Sequence, residues 1–277
     1  MASIKNVSII GGAGALGPSI IAALKAGNFN VTVITPKQHS QPASKSSKPT
    51  PPLLQTLVLP FKDRMLSSPP SGQTVYIDAA IAAGVHRFIP SEFGADISNP
   101  KAAARPVFGH KAKVAAGADI TYTYVINGAL LDWGLEHDFT FDLTSDKPKL
   151  FDGGNYVFST TTVGSIGQAV AGVLSHPAET KNRTVYIQDI AISQKRLLEL
   201  VRKVAPERNL TPATTDLTEM QNSANEKLAK GEHSHAVMYA YILVAMFQDG
   251  YGNHFEKLDN ELLGIKGKTE ADIEEMI

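Results

Sequence analysis

Two hydrophobic periods alternate along the chain, and each change of period marks an element. Asn6-Val7-Ser8-Ile9-Ile10 is a short β-branched run, the pattern of a strand buried in a parallel sheet. A glycine-rich stretch follows, then a helical pattern from Pro18 to Ala26. Proline is tolerated near a helix start, where its missing N–H costs little, and Gly27 is a natural stop. Val31 to Ile34 is a second apolar strand. Gln73 to Ala83 predicts a helix capped by Gly84, with a strand from Val85 to Ile89. Thr121 to Gly128 and the alternating run Phe139 to Leu143 predict further strands. In the last part, Thr160 to Gly164 opens an apolar helix, Ser165 to Leu174. Thr184 to Ile187 is a strand, Gln194 to Val204 an amphipathic helix, and Lys268 to Ile277 a charged helical tail.

One region breaks this rhythm. Gln38 to Ser71 is rich in proline, serine and lysine, and Pro49, Pro51, Pro52, Pro60, Pro69 and Pro70 interrupt any helix. Only Leu53 to Leu59 has a strand pattern, and Lys62 to Leu66 is too short for a crossover helix. Successive parallel strands need crossovers of about a dozen residues. One expected strand-helix-strand unit is therefore reduced to a loop and a single strand.

The glycine stretch carries the first chemistry. Gly11-Gly12-Ala13-Gly14-Ala15-Leu16-Gly17 lies between a strand and a helix, with a second strand completing the unit within about 30 residues. In such a turn one glycine permits the bend, one lets backbone approach a pyrophosphate, and one lets helix and strand sit close. Main-chain N–H groups and the positive helix end then stabilise the anion. A glycine-rich turn that binds no nucleotide is the competing reading. The end of the second strand commonly selects the nicotinamide cofactor: a carboxylate there suits NAD, a cation suits the 2′-phosphate of NADP. Thr35-Pro36-Lys37-Gln38 offers no carboxylate. Lys37 either meets a phosphate or is an ordinary loop lysine, and the expectation is NADP.

Composition removes several other functions. A net charge of -1 gives no bulk attraction to nucleic acid or an anionic membrane surface. The absence of cysteine excludes disulfides, thiolate catalysis and Cys-ligated metals. It also fits a reducing compartment, and a cytoplasmic location is expected. Met1 to Asn6 lacks the pattern of a secretory signal. The most apolar stretch, Ala236 to Phe247, falls well short of the roughly 20 residues that span a bilayer and suits a buried helix. Without a secretory signal, the sequon at Asn182-Arg183-Thr184 is treated as chance. His233-Ser234-His235 has poor spacing for a helix face and no acidic cluster beside it, so no metal is expected.

The block Ile77-Asp78-Ala79-Ala80-Ile81-Ala82-Ala83-Gly84-Val85-His86-Arg87-Phe88-Ile89-Pro90-Ser91-Glu92-Phe93-Gly94 resembles the helix-strand-loop of the isoflavone-reductase-like and NmrA-like family, particularly its fungal members. Thr121 to Gly128, Asp132-Trp133-Gly134-Leu135 and Asp259 to Gly264 are similar as well. The resemblance covers most of the chain except Gln38 to Ser71. It implies an α/β fold, a Rossmann-type doubly wound parallel sheet with a smaller C-terminal substrate region. The expected division is 1–127 for the dinucleotide and 128–277 for the substrate, partly interleaved. It further implies NADPH-dependent reduction of a small phenolic or conjugated molecule.

The family carries a lysine shortly after the Ser-Glu-Phe-Gly loop, and the matching position is Lys111 in Phe108-Gly109-His110-Lys111-Ala112-Lys113-Val114. Its expected use is proton handling while hydride arrives from the cofactor; the alternative is a surface helix lysine. Ser91, Glu92 and Phe93 follow a parallel strand, where α/β sheets place ligands. Glu92 either orients Lys111 or is a structural loop residue. Tyr122 and Tyr124 fall in a predicted strand and are read as packing residues. The helix carrying Lys111 is cut to a few turns, Phe108 to Ala116, and a shift of about 1 Å there can cost about a hundredfold in rate. Two further readings therefore stand beside the reductase: a dinucleotide-sensing regulator without turnover, and an inactive truncated member. A homodimer is compatible with the pattern.

Overall fold

The computed structural model describes residues 4–34, 56–58, 74–108 and 120–277. Strand β1 (Asn6–Ile10) leads through the glycine turn into α1 (Gly17–Ala26) and back to β2 (Asn30–Ile34). The first left-handed residue after α1 is Asn28 (φ 60), not Gly27 (φ -78). Gly27 instead gives up its side chain to Phe29, whose ring would lie 2.9 Å from an added Cβ. Strand β3 (Thr56–Val58), α2 (Thr74–Ala82) and β4 (Arg87–Ile89) form the next described unit, and Gly84 takes the left-handed conformation (φ 68) that ends α2. After a short α3 (Pro100–Ala103) and a 3-10 turn (Pro106–Phe108), β5 (Thr121–Ile126) follows.

The C-terminal half contributes β6 (Ala129–Leu130), α4 (Leu131–Glu136), β7 (Lys149–Phe151), β8 (Val157–Thr161), α5 (Val163–Ser175) and β9 (Arg183–Tyr186). It ends with β10 (Ile190–Ser193), α6 (Gln194–Val204), β11 (Ala213–Thr215), α7 (Leu217–Ala229), α8 (His235–Phe247), α9 (Asn260–Leu263) and α10 (Glu270–Glu274).

The main sheet has six strands in the order β2-β1-β3-β4-β5-β9, every pair parallel. The chain runs outward from β1 to β2 and then returns to the other side of β1 with β3. The gap between the carboxyl ends of β1 and β3 is therefore the topological switch point, where open α/β sheets bind ligands. Successive residues of each strand feed opposite layers. Val7, Ile9, Ile89, Val125 and Val185 pack with Leu16, Ile20 and Leu24 of the first helical unit and with Ile166, Val170 and Val173 of α5. Phe88 and Val85 pack with Ile77 and Ala80 of α2, with Ile10, Tyr122 and Tyr124 against them. Those tyrosines pack on each other, centroids 4.8 Å apart.

Among the described residues β2 is the outermost strand of this sheet, and Val33 and Ile34 are 42% and 40% exposed. Of the predicted strand Leu53 to Leu59, Thr56 to Val58 enters the sheet beside β1; residues 35–55 and 59–73, which hold most of the expected shortened region, lie outside the described residues.

One strand expectation fails. Phe139 to Leu143 forms bends, not a strand. The amides of Phe139 and Thr140 both donate to Gly134 O, Asp138 is left-handed (φ 55), and Asp142 accepts the amides of Thr144 and Ser145. The apolar alternation arises because Phe139 and Phe141 enter different cores, one around Phe247 and one around Leu197 and Ile273.

Candidate functional site

The site is built at the switch point from the glycine turn. Gly11 takes a positive φ of 91, which bends the chain out of β1. Gly14 N donates to Gly11 O and Gly17 N to Gly14 O, both 2.9 Å, coiling the turn into α1. Among the described residues no backbone carbonyl takes up the amides of Gly12, Ala13, Ala15 or Leu16. No side chain caps α1, no acidic residue sits in its first turn, and Pro18 occupies its start. These are the conditions under which a helix end favours an anion. The spacing is tight. A Cβ on Gly17 would lie 2.3 Å from Gly12 O, and one on Gly12 would lie 2.9 Å from Val33 Cγ1. Leu16 turns inward and is fully buried.

The second wall follows β4. Ser91, Glu92 and Phe93 are 3%, 0% and 4% exposed. Phe93 packs in the same core as Leu16, Val58 and Ile89, so this loop and the glycine turn rest on one core. Gly94 needs its positive φ of 136, and its carbonyl accepts Gly128 N at 3.1 Å. Gly128 is the second residue past β5. With φ 64 and Ser159 O only 2.1 Å from an added Cβ, it accepts no side chain. Asn127 beside it is fully buried; its Nδ2 donates to Gly128 O, while its Oδ1 has no partner.

From the third side comes α8, buried from Leu243 to Phe247, with Met246 Cε 3.3 Å from where a Gly94 Cβ would stand. Phe247 is ringed by Phe139, Phe151 and Phe158 at 5.5, 5.2 and 4.8 Å. Val107 and Phe108 dock on Tyr241 and Ile242 of the same helix, anchoring the chain just before Lys111.

The neighbouring helix end is already occupied. At the start of α5, Thr162 N and Oγ1 donate to Asp189 Oδ2 at 2.8 and 2.7 Å, and Ser165 Oγ to Asp189 Oδ1 at 2.8 Å. Val163 N donates to both oxygens of Asp132, at 3.0 and 3.2 Å. Two carboxylates thus satisfy α5 from within the protein, whereas among the described residues no carboxylate caps the start of α1. Ser19 Oγ donates to Val163 O at 2.8 Å, and Gly167 lets the two helices touch, Ser19 O standing 2.7 Å from an added Cβ.

Gly11, Gly12, Ala13, Gly14, Ala15, Leu16 and Gly17 thus form one turn, with Phe93 on the same core and Ser91 and Glu92 in the adjoining loop. Thr35, Lys37 and Lys111 lie outside the described residues. The motif reading assigned no role to Asn127, Gly128, Asp132, Asp189 or Met246. The one signal available was an Asn-Gly pair ending a strand; the carboxylate caps are tertiary and leave no local pattern. Among the described residues no cluster of His, Cys, Asp or Glu is placed to hold a metal, and no helix is long and apolar enough to cross a membrane.

Solved structures with the same fold include an isoflavone reductase, with a TM-score of 0.74 at 17% identity and 98% of each chain covered. Another is AtPrR2 with NADP+ and (+)pinoresinol, with a TM-score of 0.72 at 18% identity over 100% of each chain. In sequence, oxidoreductase poxI of Penicillium oxalicum is 30% identical over 94% of this chain and 89% of its own length. Isoflavone reductase of Cicer arietinum is 28% identical over 68% of this chain and 71% of its own. The NmrA-like family model matches residues 70–213, just over half the chain, which includes the wall after β4 and not α8. The chain belongs to the NmrA-like family.

Proposed function

We propose that this protein is an NADPH-dependent reductase of a small phenolic or conjugated organic substrate. The observation that carries the reading is the turn from Gly11 to Gly17: amides with no backbone acceptor among the described residues, at an uncapped helix start and at the switch point, in a turn packed too closely for a side chain at Gly12 or Gly17. Relatives named as oxidoreductases and neighbours solved with NADP+ or NADPH support the choice of cofactor. The residues present fit a dinucleotide diphosphate. Gly12, Ala13, Ala15 and Leu16 would hold it by main-chain N–H groups, and Lys37 the 2′-phosphate. When bound, the nicotinamide supplies the hydride. Lys111 then holds or delivers a proton at its Nζ, and Ser91 to Phe93 wall the nicotinamide side. Residues 1–127 form the cofactor unit and 128–277 the substrate region, with β9 and α5 lending support to the first. The aromatic ring of side chains around Phe247 suits a flat, unsaturated substrate.

Calorimetric titration with NADPH, NADP+ and NADH, followed by hydride transfer to conjugated carbonyl and phenolic acceptors, tests this. NADPH is expected to bind more tightly than NADH, and Lys111→Ala to lower turnover by about a hundredfold or more. Binding without turnover on any acceptor would favour the regulator. No binding of any coenzyme would end the cofactor reading. Unchanged turnover in Lys111→Ala would end the lysine's role.

A further inference from the structure

Tyr186 closes β9 at the carboxyl edge of the main sheet, in register with Ile126 and so beside Asn127. Its backbone is fixed twice by one residue: Tyr186 N donates to Asp259 Oδ2 at 2.9 Å, and Asp259 N to Tyr186 O at 2.7 Å. Arg183 holds the other oxygen of Asp259 at 2.9 Å. The ring meets Phe255 edge-on, centroids 5.3 Å apart. The hydroxyl therefore has a set position. It lies 3.2 Å from Ser98 Oγ and 3.4 and 3.3 Å from the two oxygens of Asp96. Asp96 Oδ1 also accepts Ser98 N at 2.9 Å, so this crest of the loop is one folded unit.

The loop in question joins both candidate halves of the site. Upstream, two residues before Asp96, Gly94 ends the Ser91-Glu92-Phe93 wall. Downstream, Asn99 caps α3 and donates to Gly250 O at 3.2 Å, and the chain continues through Val107 and Phe108 toward Lys111. Gly128 N grips one end of the loop and Gly250 O the other. The crest between them reaches the sheet at Tyr186.

We infer that Tyr186 is a positioning residue: its hydroxyl, set between Asp96 and Ser98, latches the 94–99 loop and thereby fixes the wall at Ser91 to Phe93. Burial, and then the charge of Asp96, raise the phenol above its ordinary range, so it stays a neutral donor. The consequence for coenzyme affinity rests on the proposed reductase reading; the consequence for the loop does not.

The test uses the full-length chain, with hydrogen–deuterium exchange over 94–104 and NADPH affinity as separate readouts. Tyr186→Phe and Asp96→Ala are each expected to speed exchange there about three- to tenfold, the worth of roughly one hydrogen bond. Both should raise the NADPH Kd and the acceptor KM by a similar factor while kcat changes less than about twofold. Asp96→Asn keeps an acceptor for both Tyr186 and Ser98 N and should restore wild-type exchange and Kd. The double variant Tyr186→Phe/Asp96→Ala should fall short of the sum of the two single ones, because the Tyr186–Asp96 bond can be lost only once. Wild-type exchange in Tyr186→Phe or in Asp96→Ala, additive effects in the double variant, or failure of Asp96→Asn to restore the loop would each overturn the latch. If wild-type protein binds no NADPH, the coenzyme reading fails, and the exchange experiment still decides the latch.

Discussion

A single added methyl group tests the turn most directly. At Gly17 the Cβ would stand 2.3 Å from a backbone oxygen, that of Gly12, and 2.4 Å from its carbon. Backbone cannot rotate aside as a side chain does, so the turn or the start of α1 must move. Gly12 is different, because its nearest neighbour at 2.9 Å is Val33 Cγ1, one end of a side chain on an exposed edge strand. Gly17→Ala should therefore cost about 1–3 kcal/mol, the usual range for overpacking, and weaken NADPH binding by more than tenfold. Gly12→Ala should cost less in stability yet still obstruct the diphosphate. Chemical denaturation and calorimetry separate the two. Equal stability of Gly17→Ala and wild type would mean that the helix does not sit as described. Much of this was legible: a glycine at each end of the Gly11–Gly17 turn follows from the strand-to-helix bend. That Leu16 faces the core and joins Phe93 was not, because no local period governs a turn.

At the scale of elements, α5 shows what local patterns omit. Thr162 at its N-cap is a sequence signal, and the apolar run from Val163 onward predicts the helix. Asp189 and Asp132, which complete the cap, lie 27 and 31 residues from the groups they accept. Asp189 is 6% exposed and accepts from Thr162 and Ser165, so its removal leaves buried donors unpaired. Asp189→Ala should destabilise the protein by about 2–4 kcal/mol, and Asp132→Ala by about 1 kcal/mol. Because α5 packs along α1 through Gly167 and Ser19, Asp189→Ala should also weaken NADPH binding. Thermal unfolding with and without coenzyme reads both effects; a Tm shift without any change in affinity would uncouple the helices. Arg87 makes the same point within a strand. The sequence shows an arginine in an apolar run, and the fold buries it to 3% exposure with no carboxylate partner among the described residues. Its guanidinium instead donates to Thr121, Thr123, Thr180 and Pro177 O, joining β4, β5 and the turn after α5. Burial lowers its pKa. The expected strand at Phe139 to Leu143 failed for a related reason: alternation reports that neighbours face opposite sides, and two separate cores satisfy that as well as a sheet does.

For the whole molecule, the sequence carried the order of elements in the main sheet because parallel strands and their crossover helices are written as contiguous runs. It did not carry the smaller sheets, β10-β8-β6 and β11-β7, whose strands are as short as two residues at β6 and are held by tertiary contacts. Nor did it show which tyrosines would be partly or fully buried. Burial raises the phenols of Tyr156, Tyr186, Tyr239 and Tyr241 above 10.0, with nearby carboxylates adding to the effect on all but Tyr241, where Arg105 opposes it. The sign follows from linkage. Well below 10.0 each phenol is neutral in both states and contributes nothing that varies with pH. Above it the unfolded chain releases protons that the folded chain retains, so stability falls as pH rises through the folded values. The denaturation midpoint should be flat from about pH 7 to about pH 9.5 and then decline, and Tyr239→Phe should make the decline shallower. Tyr241 also donates to Asn225 at 2.8 Å, so its ionisation would break a bond between α7 and α8. Those helices carry the wall that faces Gly94 and the anchor for Val107 and Phe108, so alkaline loss of coenzyme affinity should begin before global unfolding. A midpoint that holds level past pH 11 in wild type, or an equally steep decline in Tyr239→Phe, would show that these phenols are not shielded as the packing requires.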